Sequence, residues 1–352
     1  MTRFVVRHFR PHSALESIPS IPHGSPVTKA FLLGAGLGTR LRPLTNRLPK
    51  PLIPVMHRPL VTYALDHSLD AGIREFAINT HHLPEEWVRF FANSSAHDRP
   101  APPTPLDSLR PPPPAGPVYR DAPVTLFHEP VLLETGGGLK NIESWIGDEP
   151  VLVYNADVLT NLSLDRLIAS HLAFGTTVTL GLRSTGPNPH VAIDGNRVTD
   201  IRGLLGIAEG THQFTGIYCI NPDFPELIPA RRKISVIPAF LELARRGSLG
   251  ACLLDDRSWL DLGTRDNYLA AHFEPAAAPL HRHPMVHPEA RIAPSATVES
   301  SAVGPRAVVG PHAVLRHSIV WPECEIAPEA RLTNCVVCSS SPVSGAHKDT
   351  DL

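Results

Sequence analysis

The chain has 352 residues, enough for one large α/β domain with an appendage. Its formal net charge of −2 supplies no basic field for nucleic acid and no polybasic surface for a membrane. No apolar run reaches the length of a membrane span, and five cysteines in so long a chain are too few for a disulfide framework, which points to a reducing compartment, the cytoplasm.

Residues 1–27 carry Arg3, Arg7 and Arg10, with Glu16 the only acid, and are broken by Pro11, Pro19, Pro22 and Pro26. They lack the continuous apolar core of a secretory signal and read as a disordered extension. From Lys29 onward short apolar runs alternate with helical stretches, the rhythm of a mostly parallel sheet. Residues 30–33 are the first strand. It runs from Leu33 into Gly34-Ala35-Gly36-Leu37-Gly38-Thr39, a cluster that can turn sharply and bring backbone N–H groups to an anion. A dinucleotide fingerprint fails here, because the third glycine falls at Gly38 and Pro43 interrupts the helix. A Walker loop fails too, because no Gly-Lys-Ser/Thr comes after the glycines. The cluster leads instead to Arg40, then to Lys50 between Pro49 and Pro51. These are two permanent cations on a stiffened segment, suited to a polyphosphate and a second phosphate reacting with it.

Residues 59–71 read as an amphipathic helix stopped by Gly72, and residues 75–79 as a strand followed by His81-His82 and a helix from Pro84 to Phe91. Residues 93–123 are a proline-dense insertion, expected as an extended surface loop. The fold resumes with a strand over 124–128, then Glu134-Thr135-Gly136-Gly137-Gly138, where the missing side chains let backbone approach a flat ligand, with a helix starting at Leu139. Residues 150–158 deliver Asn155-Ala156-Asp157 to the carboxyl end of a central strand, where α/β sheets bind ligands; a carboxylate there suits Mg²⁺. A helix over 164–172, a strand over 176–182, a hairpin at Asp194-Gly195 and a helix over 235–246 complete the pattern, and a helix over 265–271 closes the domain at residue 274.

After a linker over 275–285, small and branched apolar residues recur at mostly six-residue spacing: Ala290-x-Ile292, Ala296-x-Val298, Ala307-x-Val309, Ala313-x-Leu315, Cys324-x-Ile326 and Ala330-x-Leu332. This is the pattern of a hexapeptide β-helix over 286–338, roughly three coils of about eighteen residues each. Cys335 and Cys338 read as small core fillers of that solenoid rather than a metal or redox pair. So short a solenoid needs its ends covered, by the first domain or by another subunit. Residues 339–352 read as a disordered tail. The fold class is therefore α/β, a Rossmann-like mostly parallel sheet with helices on both faces, plus a short C-terminal left-handed β-helix.

The stretch from Gly34 to Pro51 resembles the signature of the sugar-1-phosphate nucleotidyltransferases, G-x-G-x-R-x-x-P-L-T-x-x-x-P-K-P, with every fixed position filled. The resemblance spans roughly residues 29–272 and, more loosely, the tail. It implies a Mg²⁺-dependent enzyme that joins a nucleoside triphosphate to a sugar 1-phosphate. Arg40, Lys50 and Asp157 would be catalytic, and Leu33, Gly34, Ala35, Gly36, Gly38 and Thr39 would hold the nucleotide together with Glu134, Gly136 and Gly137. Asn155, Thr215 and Gly216 would lie on the sugar side, and Asp157 with Asp261, from a Trp-x-Asp-x-Gly-Thr turn at Trp259 to Thr264, would bind the metal. The Asn79-x-His81-x-Leu83 turn is similar to a structural turn of the family, and the Glu134–Gly138 loop is similar to that of the N-acetylmuramate-1-phosphate uridylyltransferase branch and of some mannose-1-phosphate guanylyltransferase-like proteins. The order of domains resembles the mannose group, which favours GTP with mannose 1-phosphate; a UTP-dependent enzyme and a non-catalytic subunit that binds nucleotide-sugar are the alternatives. Two positions depart from the pattern: Ala156 stands where the family has glycine, and Arg202 lies near the place of a missing Glu-Lys-Pro lysine. A hexapeptide tail in this family implies a homo-oligomer. An acyltransferase on the same solenoid fits less well, because the repeat is short.

Overall fold

The computed structural model describes residues 27–97, 116–274, 277 and 284–352. Most of the expected N-terminal extension, the centre of the 93–123 insertion and most of the linker lie outside the described residues.

In chain order, β1 (Lys29–Leu33) leads to a small hairpin, β2 (Pro54–Val55) with β3 (Arg58–Pro59), then α1 (Leu60–Asp70), β4 (Glu75–Thr80) and α2 (Pro84–His97). Next come β5 (Val118–Tyr119), β6 (Ala122–His128), α3 (Glu134–Asn141), α4 (Glu143–Ile146), β7 (Val151–Asn155), β8 (Val158–Thr160) and α5 (Leu164–Phe174). The first domain ends with β9 (Val178–Arg183), β10 (Val191–Asp194), β11 (Arg197–Ile201), β12 (Gln213–Ile220), α6 (Ile237–Arg245), β13 (Leu249–Leu253), β14 (Trp259–Asp261) and α7 (Arg265–Phe273).

Ten of these strands form one sheet in the order β10-β11-β13-β9-β12-β7-β1-β4-β6-β5. β7, β1, β4 and β6 are parallel, so their carboxyl ends share one edge, while β12 runs antiparallel between β7 and β9. Alternation sends successive side chains to opposite faces. Ala30, Leu32, Leu152, Tyr154, Ile217 and Cys219 join the core under α1, α2 and α5, whereas Phe31, Val151, Val153, Tyr218 and Ile220 join the core under α3, α4 and α6.

Several expected boundaries move. Val27 is fully buried in the first of these cores, so the ordered domain already includes a residue assigned to the extension. The expected insertion begins and ends inside structure: α2 continues to His97, and β5 pairs antiparallel with β6 at the sheet edge. The helix expected from Leu139 starts at Glu134, so the three glycines are its first turns.

The C-terminal region is a parallel three-sided solenoid. One side is β15 (Arg291–Ile292), β18 (Val308–Val309) and β21 (Glu325–Ile326); the next is β16 (Thr297–Glu299), β19 (Val314–Arg316), β22 (Arg331–Thr333) and β24 (Ala346–Lys348); the third is β17 (Ala302–Val303), β20 (Ile319–Val320) and β23 (Val336–Val337). The residues of the apolar repeat face its core: Ala307, Val309, Ala313, Leu315, Cys324, Ile326, Ala330 and Leu332 are all buried, as are Cys335 and Cys338. Equivalent positions recur after 17 residues rather than eighteen. The corner between β16 and β17 is the short one. Its serine carries hydrogen bonds from coil to coil: Ser318 N–H donates to Ser301 Oγ at 3.0 Å, and Cys335 N–H to Ser318 Oγ at 3.1 Å.

The tail expected to be disordered from residue 339 is instead a further part-coil. β24 pairs parallel with β22, and Cys338 and Val336 exchange backbone hydrogen bonds with Leu352 and Thr350. The physical reason is the open ladder of β22 and β23, which offers unpaired backbone groups that a following segment satisfies. Of the two expected covers for the solenoid, the structure shows the first domain. A single apolar cluster runs from Leu41, Leu44, Ile53, Met56 and Tyr268 into Val303, Ile319, Val320 and Trp321. Within it the Tyr268 hydroxyl donates to the Pro54 carbonyl at 2.5 Å and accepts from Trp321 Nε1 at 2.9 Å.

Candidate active site

The carboxyl edge of the parallel strands carries the polar residues. β1 ends before Gly34, β4 at Asn79 and Thr80, β6 before Glu129 and β7 at Asn155, the edge where α/β sheets bind ligands. Two short strands outside the main sheet then decide the site. β8 and β14 pair antiparallel with Val158 opposite Asp261, and Leu262 N–H donates to the Asp157 carbonyl at 3.2 Å. That pairing sets Asp157 beside Asp261.

Lys50 rises between them from a 3₁₀ turn over Lys50–Leu52, with Pro49 and Pro51 limiting its backbone. Its Nζ lies 2.6 Å from Asp157 Oδ2 and 3.9 Å from Asp261 Oδ1. The lysine side chain is only 7% exposed, whereas the two carboxylates are 35% and 44% exposed, so the cation lies on the protein side and the acids face outward. Arg40 completes the group. A Cβ on Gly263 would sit 2.7 Å from Arg40 Nη2 and 3.2 Å from Asp261 Oδ1, so the glycine of the Trp-x-Asp-x-Gly-Thr turn leaves the room that guanidinium occupies. The Asp261 carboxyl is pushed above its usual range by desolvation and by the neighbouring Asp157 charge, with Lys50, Arg40 and the Gly263 N–H pulling the other way.

The loop before Arg40 is tied at both ends. Gly34 N–H donates to Asn79 Oδ1 at 2.7 Å, and a Cβ on Gly34 would meet the Asn79 carbonyl at 2.9 Å. Gly38 is left-handed at φ +60°, and its carbonyl accepts from Thr45 Oγ1 at 2.9 Å. Between these anchors Gly36, Leu37, Thr39 and Arg40 are exposed, and nothing lies within 4 Å of a Cβ built on Gly36.

The second glycine cluster behaves differently. Gly136 and Gly137 both donate their N–H groups to the Ile234 carbonyl, at 2.9 and 3.0 Å. A Cβ on Gly137 would lie 2.5 Å from the Arg232 carbonyl oxygen, and one on Gly136 2.8 Å from that of Ser235. The close approach expected for a flat ligand is thus made by the chain's own 232–235 backbone. Glu134, half-exposed with Lys233 Nζ 3.8 Å away, remains at the rim.

Of the residues expected on the sugar side, Gly216 adopts φ +79° and a Cβ there would strike Asn155 Nδ2 at 2.7 Å, so the structure does bring these two residues together. Thr215 is fully buried, its hydroxyl donates to the Gly181 carbonyl at 2.7 Å, and Trp259 Nε1 donates to the Thr215 carbonyl at 2.8 Å. Ala156 is fully buried in the sheet core, so its methyl packs inward. Arg202 is exposed on a loop whose backbone N–H groups are gathered by the buried Asp200 carboxylate; those bonds draw that carboxyl below its usual range against the desolvation that raises it.

Two buried residues that the sequence does not assign to the site support it. Asn79 bridges Gly34 N–H to Glu129 Oε1, with its Nδ2 at 2.8 Å from that oxygen, and Glu129 Oε2 accepts from Leu133 N–H at 2.9 Å. Together they tie the first glycine loop to the entry of α3. The available signal was position, since both sit at carboxyl ends of parallel strands. The adjacent His81 and His82 hydrogen-bond the Glu129 and Thr45 carbonyls at 2.7 Å each, which gives the pair a structural role.

Among the described residues no group of three or more His, Cys, Asp or Glu gathers as for an all-protein metal cage. Asp157 and Asp261 nevertheless fit Mg²⁺, which takes one or two carboxylates and completes its shell with waters and substrate phosphates.

The family model described as "Nucleotidyl transferase" matches residues 29–276, which hold all of these side chains. The chain belongs to that family. The nucleotidyl transferase unit therefore comprises the sheet, the β8–β14 pair and α7, and the solenoid lies beyond it. Similar curated proteins include the UTP–glucose-1-phosphate uridylyltransferase of Synechocystis (26% identical, covering 69% of this chain and 62% of that protein) and the mannose-1-phosphate guanylyltransferase of Mycobacterium tuberculosis (26%, covering 76% and 72%). The N-acetylmuramate alpha-1-phosphate uridylyltransferase of Neisseria meningitidis is 28% identical, covering 67% of this chain and 93% of that protein. The chain thus spans less than two thirds of the length of the Synechocystis relative. Among solved structures, the fold is similar to the UDP-glucose pyrophosphorylase of Acinetobacter baumannii, with a TM-score of 0.56 at 19% identity over 71% of this chain and 94% of that one.

Proposed function

We propose that this nucleotidyl transferase joins a nucleoside triphosphate to a sugar 1-phosphate, giving a nucleoside diphosphate sugar and pyrophosphate with Mg²⁺ as cofactor. The observation that carries this reading is the convergence of Lys50, Asp157, Asp261 and Arg40 at the open end of the sheet, with Lys50 Nζ 2.6 and 3.9 Å from the two carboxylates. A sugar-phosphate oxygen attacks the α-phosphorus in line, the α–β phosphoanhydride bond breaks, and its electron pair leaves with pyrophosphate. No covalent enzyme intermediate is required, so catalysis is positioning and charge stabilisation.

The exposed backbone from Gly36 to Thr39 faces the triphosphate, and Arg40 balances charge on the departing pyrophosphate. Lys50 grips the phosphate of the sugar. Asp157 and Asp261 would hold Mg²⁺, which when bound would supply charge neutralisation to the reacting phosphates. Asn79 and Glu129, buried behind the loop, keep its N–H groups oriented.

GTP with mannose 1-phosphate is the pair we favour. The order of catalytic unit and solenoid supports it, as does the mycobacterial guanylyltransferase, which covers more of this chain than the other two relatives named above. Ala290, Ile292, Ala296 and Val298 of the first coil are only partly buried, whereas their counterparts one coil later are buried, which supports a homo-oligomer formed at that end. No helix of the described residues is long and apolar enough to cross a membrane, and all five cysteines are free and buried, which supports a cytoplasmic site of action.

Pyrophosphate release by the purified chain tests the reading, with Mg²⁺, the four ribonucleotides and dTTP, each against a panel of sugar 1-phosphates. A productive pair is expected, GTP with mannose 1-phosphate first. Silence across the panel with nucleotide-sugar still bound overturns the catalytic reading in favour of a sensing subunit.

A further inference from the structure

Lys50 occupies a place that a metal site would ordinarily leave to the metal. Its ammonium is buried, lies within hydrogen-bond distance of Asp157 Oδ2 and is 3.9 Å from Asp261 Oδ1, and the Arg40 guanidinium adds a second positive charge near Asp261, beside Gly263. Two carboxylates and two cations make a cluster with no net charge. Such a cluster has little attraction for a bare divalent ion, because each carboxylate already has a counter-ion and the ion would arrive beside a fixed ammonium. A divalent ion that arrives on a triphosphate changes the balance. The phosphate oxygens take over the lysine and arginine, and the carboxylates are released to the metal.

We propose that Lys50 is the resident counter-ion of the Asp157–Asp261 pair, so that the site rejects free Mg²⁺ and accepts it only as a metal–nucleotide complex, by exchange of ion pairs. This deepens the reaction proposed above and rests on it for the identity of the nucleotide. Carboxylate–ammonium and metal–phosphate pairs become carboxylate–metal and ammonium–phosphate pairs, with charge conserved throughout.

The test needs no turnover. Mn²⁺ is titrated into nucleotide-free protein, and free Mn²⁺ is followed by electron paramagnetic resonance, for the wild type, Lys50→Met, Arg40→Met and the Lys50→Met/Asp157→Asn double variant. Lys50→Met, which keeps the length of the side chain and removes its charge, is expected to bind Mn²⁺ about tenfold more tightly than the wild type. Arg40→Met moves in the same direction by less, and the double variant loses the gain. A nucleotide added to the wild type restores tight Mn²⁺ binding. Circular dichroism reports whether Lys50→Met folds; if it does not, Arg40→Met, at an exposed residue, carries the test. Mn²⁺ binding by both single variants that is no tighter than in the wild type overturns the proposal, as does a gain that survives Asp157→Asn. Because pyrophosphate release is not the readout, an inactive protein that still shows this Mn²⁺ pattern overturns the reaction alone.

Discussion

The chain contains two glycine clusters that look alike in composition and have opposite surroundings. Around Gly36 the space above the backbone is open, and the loop is pinned at its two ends by Asn79 and Thr45. Around Gly136 and Gly137 that space is filled by the carbonyls of Arg232, Ile234 and Ser235. Glycine permits a close approach without saying what approaches. The first loop leaves its backbone open beside a cluster of charges, and the second packs its own against another part of the same chain.

The most severe challenge to this contrast is to neutralise the charge cluster beside the first loop. Asp157→Asn is expected to lower the rate of pyrophosphate release about a thousandfold, since the metal's charge stabilisation is worth several kcal/mol. An active Asp157→Asn would mean that the loop faces no metal–nucleotide complex at all. Next in size is Gly137→Ala, whose Cβ meets a backbone oxygen that cannot step aside. Overpacking of this kind is expected to cost about 2 kcal/mol, read as a lower unfolding midpoint in urea.

Gly36→Ala is the complementary change. With open space around it, unfolding should stay within about 0.5 kcal/mol of the wild type, as for an ordinary surface substitution. The KM for nucleotide should meanwhile rise about tenfold, the cost of roughly one lost backbone contact to a charged phosphate. A Gly36→Ala protein that melts early but binds normally would reverse the assignment of the two loops. The smallest effect belongs to Thr45→Val, which removes one hydroxyl bond to the Gly38 carbonyl and should cost about 1 kcal/mol of stability with a modest rise in nucleotide KM.

Much of the first loop was legible in advance. Gly34, Gly38, Arg40, Thr45 and Lys50 lie close together in sequence, and the constraints on them are local: a left-handed φ at Gly38 and prolines around Lys50. The solenoid was legible for the same reason, since each apolar pair repeats on a fixed period, although the short serine corner that makes the repeat 17 residues was not. The surroundings of the second loop were not legible. That Gly136 packs on Ser235 depends on a segment almost a hundred positions later, and no pattern around residue 136 points to it. Thr215 is a similar case. Its position beside Gly216 suggests a substrate contact, but the hydroxyl turns toward Gly181 on the neighbouring strand.

By itself the sequence determined the class of fold, the glycine turn at Gly34 to Gly38, the two cations that come after it and the inward face of the solenoid, because all of these rest on short-range sterics and on the periodicity of apolar residues. Only the tertiary structure decided that Lys50 lies between two carboxylates, one of them 107 positions away, and that the β8–β14 pairing places them side by side. It also decided that Asn79 and Glu129 bind the two loops together and that the last residues close the solenoid. Such contacts are made where burial and backbone hydrogen bonding bring distant segments together, and that depends on the packing of the whole chain.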